Sequence, residues 1–172
     1  TSVWVLVFQN KLLMVKRIIM IIVVLILLNV ISLVMIIVTK KIITMTVQEM
    51  MAAANAAVER IDGKKAQELV AQGALLLDVR DGLELDKAGR AQGSHHISRG
   101  MLEFRADAAT QFHDPELRKD RVIVIHCASG GRAALAGKLL KDMGYQTVYN
   151  VGGLSDWQAA GGAMVEPADP GM

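Results

Sequence analysis

The chain contains little cysteine, little proline and few aromatic residues. Among its 172 residues are one cysteine and three prolines, and aromatic side chains make up 4% of the total. A single cysteine excludes an intramolecular disulfide, which fits a reducing compartment. Lysine and arginine residues form no stripe interleaved with aromatic residues, so we expect no nucleic-acid partner.

The first 44 residues lack acidic residues, glycine and alanine altogether. They carry five basic residues, whereas residues 45–172 hold the other 14 basic residues, all 17 acidic residues and all 15 glycines. The net charge of +2 is therefore the sum of a basic segment and an acidic part that follows it. The acidic part is long enough for one compact core. We predict a hydrophobic segment at 1–44, a helix at 45–60, a globular domain at 61–165 and a loose tail at 166–172.

Residues 18–38 form an apolar run whose only polar members are Asn29 and Ser32. As a helix rising about 1.5 Å per residue, this run would cross the roughly 30 Å hydrocarbon layer of a membrane. One interpretation is therefore a cytoplasmic domain anchored to the inner face of a membrane. The other is an extension foreign to the protein, with Met45 as the natural start and a helix that runs to about Glu59. Both interpretations stay open at this point.

The most informative stretch joins an apolar run to a helix through one cysteine. Val122 to Ile125 is typical of a strand buried on both faces, and Ala133 to Met143 has helical spacing. The turn between them holds Cys127 among small residues, so several backbone N–H groups and the positive helix end can face one anion. We expect the thiol to lose its proton easily, with Arg132 adding positive charge. A buried core cysteine is the alternative.

This turn resembles the active-site loop of the rhodanese-like sulfurtransferases, which runs over six residues from Cys to Arg. The resemblance extends along the chain in the order of the family, through a strand that ends in Asp-Val-Arg, a glycine-histidine segment and a C-terminal Gly-Gly signature. The corresponding stretches here are Leu76 to Arg80 with Glu84, Gly89 to Ile97, Cys127 to Arg132, and Gly152 to Leu154 with Trp157 and Gly161. Together they cover about residues 60 to 165.

The resemblance implies an α/β fold, a doubly wound sheet of about five parallel strands flanked by helices, preceded here by the hydrophobic N-terminal helix. It also implies transfer of a sulfane sulfur from thiosulfate or a persulfide to an external thiol, a protein thiol or cyanide. Cys127 and Arg132 would then be catalytic, Ala128, Ser129, Gly130 and Gly131 would form the substrate-binding loop, and Asp78 and Arg80 would support it. No metal or organic cofactor is implied.

Two other functions remain open. A non-catalytic persulfide carrier or membrane-tethered binding module would keep the same loop. Phosphatases of this fold have five residues between Cys and Arg, whereas four separate Cys127 from Arg132. That spacing argues against hydrolysis of phosphate monoesters.

The remaining pattern alternates helices and strands, as expected for a parallel sheet with helices on both faces. We predict a helix at 63–71 capped by Asp62. We also predict strands at 74–79 and 145–151, a short helix at 83–87, and helices at 101–111 and 154–159. His95 and His96 lack other metal ligands at suitable spacing and are interpreted as structural. Arg99 and Arg105 are assigned to a solvated helix face.

Overall fold

The structure is a computed structural model that describes residues 2–43 and 45–167. The chain divides into two compact units, residues 1–46 and residues 47–172.

The first unit is one long helix, α1 (Ser2–Ile43). Within it, Leu13–Val38 is long and apolar enough to cross a membrane, a test of length and composition that signal sequences also pass. The Asn29 amide donates a hydrogen bond to the Leu25 carbonyl oxygen at 2.8 Å. One donor of this polar side chain is therefore used within its own helix.

The second unit is a parallel sheet with helices on both faces, which confirms the predicted fold class. Its helices are α2 (Val47–Ala57), α3 (Gly63–Ala71), α4 (Gly82–Ala88), α5 (Leu102–Ala106), α6 (Gly131–Asp142) and α7 (Leu154–Ala159). Its strands are β1 (Glu59–Arg60), β2 (Leu75–Asp78), β3 (Arg90–Ala91), β4 (His95–His96), β5 (Ile123–Cys127), β6 (Val148–Gly153) and β7 (Met164–Val165). The main sheet has the order β1-β6-β5-β2-β4, with all neighbours parallel, and β3 pairs antiparallel with β7.

The core lies on both sides of the central strands, as their apolar sequences require. Ile123, Ile125 and Cys127 of β5 belong to a cluster with α5 and α6, whereas Val124 packs with Trp157 of α7 on the opposite face. Successive side chains of a strand point to opposite faces, so the β-branched run of β5 fills both layers. The carboxyl end of β5 thereby brings Cys127 to the edge where the loops of the sheet meet.

Helix α3 has the predicted bounds, and its start follows from Asp62. The side chain of Asp62 accepts a hydrogen bond from the Lys65 backbone N–H at 2.8 Å, as an N-cap residue does. After the helix, Gly73 has a φ of 98°, a left-handed conformation that glycine adopts without a steric penalty. Helix α7 also has the predicted bounds.

Two helix predictions were too long. Helix α5 ends at Ala106, because Asp107 takes an extended conformation and its carboxylate accepts the N–H of Ala109 at 2.9 Å, which forms a turn. Helix α2 ends at Ala57, and Glu59 lies in β1 instead, since it pairs with β6.

Candidate functional site

Cys127 is the last residue of the central strand β5 and is 1% exposed. Its Sγ accepts a hydrogen bond from the Gly130 backbone N–H at 3.1 Å. Helix α6 begins at Gly131, so the sulfur lies beside the first turn of a 12-residue helix. A donor of this kind and the positive helix end both stabilise negative charge on sulfur.

The loop between β5 and α6 requires glycine at one of its own positions and at one position of the strand beside it. Gly130 has a φ of 97°, and a Cβ added there would lie 2.8 Å from Nη1 of Arg60. A Cβ added at Gly153 would lie 2.3 Å from the carbonyl oxygen of Ala128, nearer than real Cβ contacts come. The small residues seen in the sequence thus serve both the curvature of the loop and its contact with the end of β6.

Arg132 does not present a free positive charge. Its two terminal nitrogens donate to the two carboxylate oxygens of Glu84 at 2.6 and 2.8 Å, and Nη1 lies 3.5 Å from Asp81 Oδ2. The hydrogen bond from Arg132 lowers the pKa of Glu84 to about 2, and the same bond raises the pKa of Arg132. The guanidinium is therefore fixed in place by Glu84 of α4 and by Asp81, the residue before this helix, and the two carboxylates compensate its charge.

Asp78 and Arg80 form a buried ion pair at the carboxyl end of β2. Nε of Arg80 lies 3.0 Å from each Asp78 oxygen, Nη2 lies 2.6 Å from Oδ2, and Nη2 also donates to the Gly89 carbonyl oxygen at 2.9 Å. The side chain of Arg80 is 2% exposed and that of Asp78 is 0% exposed. The pair ties the strand to the loop after α4, and support of the cysteine loop by these two residues stays a prediction.

His126, which precedes Cys127 in sequence, is fully buried, and among the residues that the structure describes none forms a hydrogen bond with either of its ring nitrogens. Its Nε2 lies 3.6 Å from Asp78 Oδ2, beyond hydrogen-bond distance. Burial lowers the pKa of His126, against the opposing effect of Asp78. The imidazole is therefore neutral at physiological pH.

Sequence reasoning missed Asn150, a buried residue of β6. Its Nδ2 donates to the Gly130 carbonyl oxygen at 3.1 Å, and its Oδ1 accepts the Gly152 N–H at 2.8 Å. A polar residue within an otherwise apolar strand, two positions before Gly-Gly, was a signal that could have indicated it. Arg60, which packs on Gly130 and pairs with Asp156 at 3.1 Å, had no such signal.

The remaining candidates make contacts with residues other than Cys127. His95 pairs with Asp114 at 2.8 Å, and His96 Nε2 lies at the same distance from the Arg80 carbonyl oxygen, to which it donates. Arg99 pairs with Glu103 along its helix. Residues 2–43 and 45–167 contain no group of three His, Cys, Asp or Glu side chains that could hold a metal ion.

A family model of the rhodanese-like domain matches residues 54–160. The thiosulfate sulfurtransferase GlpE of Pseudomonas savastanoi is 30% identical over 102 residues, which cover 59% of this chain and 88% of GlpE. YrkF of Bacillus subtilis, a proposed sulfur carrier, is 37% identical over 83 residues, or 48% of this chain. This chain spans 40% of the length of YrkF.

Two solved structures are similar over about 70% of this chain. The homodimeric polysulfide-sulfur transferase of Wolinella succinogenes has a TM-score of 0.56 and 32% identity, covering 69% of this chain and 85% of its own. RPA3614 of Rhodopseudomonas palustris, a protein of unknown function described as a candidate tyrosine phosphatase, has a TM-score of 0.65 and 33% identity. That match covers 71% of this chain and 96% of RPA3614.

Proposed function

Since the chain belongs to the rhodanese-like domain family, we propose that it is a sulfurtransferase in which Cys127 carries the transferred sulfur as a persulfide. The observation that carries this proposal is the Gly130 N–H that lies 3.1 Å from Cys127 Sγ at the start of α6. The likeness to GlpE and to the polysulfide-sulfur transferase supports the same chemistry.

In the first half-reaction, the Cys127 thiolate attacks the outer sulfur of thiosulfate or of a persulfide donor. A new S–S bond forms at Cys127, the S–S bond of the donor breaks, and sulfite or the donor thiolate leaves with the electron pair. The product is a cysteine persulfide anion. Backbone N–H groups of the loop from Ala128 to Gly131 stabilise its terminal sulfur.

In the second half-reaction, a nucleophilic acceptor attacks the terminal sulfur, and the Cys127 thiolate leaves. The chain has no second cysteine, so no thiol of its own can resolve the persulfide. The acceptor is therefore cyanide, a low-molecular-weight thiol or the thiol of another protein. In this scheme Arg132, fixed by Glu84, keeps the helix end of the loop in place during both steps.

The description of RPA3614 raises phosphatase activity as a competing function. A phosphoryl group needs a cradle for three equatorial oxygens and a leaving oxygen in line with the thiolate. Four residues between Cys127 and Arg132 make a smaller cradle than the five-residue loop of phosphatases that share this fold. The loop length therefore favours a single sulfur atom.

The test is the intact mass of the protein after incubation with thiosulfate. We expect a gain of one sulfur atom that is located on Cys127 and is lost on addition of cyanide. A persulfide that forms but is not turned over by cyanide or thiols would assign the protein to the carriers, as the likeness to YrkF suggests. Failure to gain sulfur, together with hydrolysis of an aryl phosphate, would overturn the proposal.

A further inference from the structure

The Gly130–Gly131 peptide is held in place by a buried side chain of β6, whose hydrogen bonds are to backbone groups and not to the sulfur of Cys127. The Gly130 carbonyl oxygen accepts two hydrogen bonds, one from Asn150 Nδ2 at 3.1 Å and one from the Ala134 N–H at 2.9 Å. Asn150 is 3% exposed, and its Oδ1 is occupied by the Gly152 N–H. The amide is therefore itself held in one orientation by β6.

Gly130 connects this anchor to the sulfur. Its N–H donates to Cys127 Sγ, while its C=O faces Asn150. In a trans peptide the C=O and the next N–H point in opposite directions, so fixing the carbonyl of Gly130 also aims the N–H of Gly131. Gly130 has a φ of 97° and a ψ of −17°, and glycine has more freedom to leave such a conformation than any other residue.

A bulge in β6 brings Asn150 under the loop. The pairing of β5 with β6 shifts from Ile125 opposite Asn150 to His126 opposite Gly152, so Val151 is an extra residue. Such a bulge redirects the side chains around it and is common beside functional sites. Here the Asn150 amide binds the Gly130 carbonyl oxygen in the loop and the Gly152 N–H beside the bulge at the same time.

We propose that Asn150 is a positioning residue of the cysteine loop. It orients the Gly130–Gly131 peptide so that the N–H groups of Gly130 and Gly131 face the sulfur of Cys127. This inference deepens the proposed function and rests on it for the persulfide readout. The contact of Asn150 with Gly130 does not depend on which sulfur donor the protein uses.

The main test is the Asn150→Asp variant. A carboxylate of the same shape still accepts the Gly152 N–H, but it cannot donate to the Gly130 carbonyl oxygen. Loss of that bond should slow persulfide formation about tenfold or more in mildly alkaline buffer. As the pH falls, the buried carboxyl is protonated and regains a donor, so the rate relative to the native chain should recover. A simple loss of stability would not make the rate of Asn150→Asp, relative to the native chain, decline as the pH rises.

Two further variants complete the comparison. Asn150→Ala has no donor at any pH and should be slow throughout. Tyr145→Phe is the matched control, because the single proton of the Tyr145 hydroxyl is shared between the carbonyl oxygens of Ala106 at 2.9 Å and Leu117 at 3.2 Å. Tyr145 lies beyond the far end of α6, which ends at Asp142. This control loses a buried hydrogen bond of the same kind, and its rate should equal that of the native chain.

A second readout separates this inference from the proposed function. Alkylation of Cys127 by iodoacetamide requires no sulfur transfer and should show the same order of rates among the variants. If the native chain forms no persulfide, the proposed function fails, while the alkylation rates still test Asn150. Native rates and pH profiles in folded Asn150→Asp and Asn150→Ala would overturn the inference. If either variant is unfolded, Asn150→Ser is judged by the same criterion.

Discussion

Replacing Gly153 by alanine tests whether the end of β6 sets the shape of the cysteine loop. A Cβ at this position would lie 2.3 Å from the Ala128 carbonyl oxygen, whereas ordinary contacts begin at 3.4 Å. The atoms it meets are backbone, so no flexible side chain can move aside. The loop must therefore retreat by about 1 Å, and a misplacement of that size can cost roughly 100-fold in rate.

We expect Gly153→Ala to lower the rate of persulfide formation at Cys127 by about this factor, and the free energy of unfolding by about 1–3 kcal/mol because of overpacking. The assay is the time course of the mass gain with thiosulfate, alongside chemical denaturation. Gly100→Ala is the control, since a Cβ at Gly100 meets nothing within 4 Å and should leave the rate unchanged. A native rate in Gly153→Ala would refute the argument that this contact shapes the loop.

Four further predictions concern the thiol, the N-terminal segment, the loop length and the buried histidine. Cys127→Ser should fold normally and transfer no sulfur from thiosulfate to cyanide, because a hydroxyl stays protonated at neutral pH; retained activity would refute the assignment. A chain truncated to start at Met45 should be soluble and as active as the full chain, since the family match begins later; an insoluble or inactive product would show that the first 44 residues belong to the fold. Inserting one glycine between Ser129 and Gly130 should widen the cradle and reduce persulfide formation, with weak aryl phosphate hydrolysis as the activity to look for; unchanged sulfur transfer would contradict the role given to loop length. Because burial lowers the pKa of His126, the unfolded chain binds the proton more readily, and the free energy of unfolding should fall as the pH drops below about 6.5, by at most about 1.4 kcal/mol per unit. Measured by urea denaturation, the free energy of unfolding of the His126→Phe variant should fall less between neutral and mildly acidic pH than that of the native chain. An unchanged dependence on pH would contradict this prediction.

Much of the second unit could be predicted because its signals are local. The β-branched run before Cys127 required a buried strand, and Asp62 with Gly73 marked both ends of α3 through cap geometry that depends on a few neighbouring residues. Helix α5 was predicted too long because its polar and apolar spacing continues past Ala106. The turn at Asp107 that ends it depends on a side-chain hydrogen bond that spacing does not reveal.

The sequence by itself determined the cysteine, the four-residue spacing to Arg132 and the small residues of the loop, because these lie within one continuous turn. Only the tertiary structure decided what surrounds that turn. Arg132 is paired with Glu84, which lies 48 residues away, and Gly130 is held by Asn150 across the end of β6. Such contacts depend on strand order and on a one-residue bulge, and both arise only when distant segments pack into one sheet.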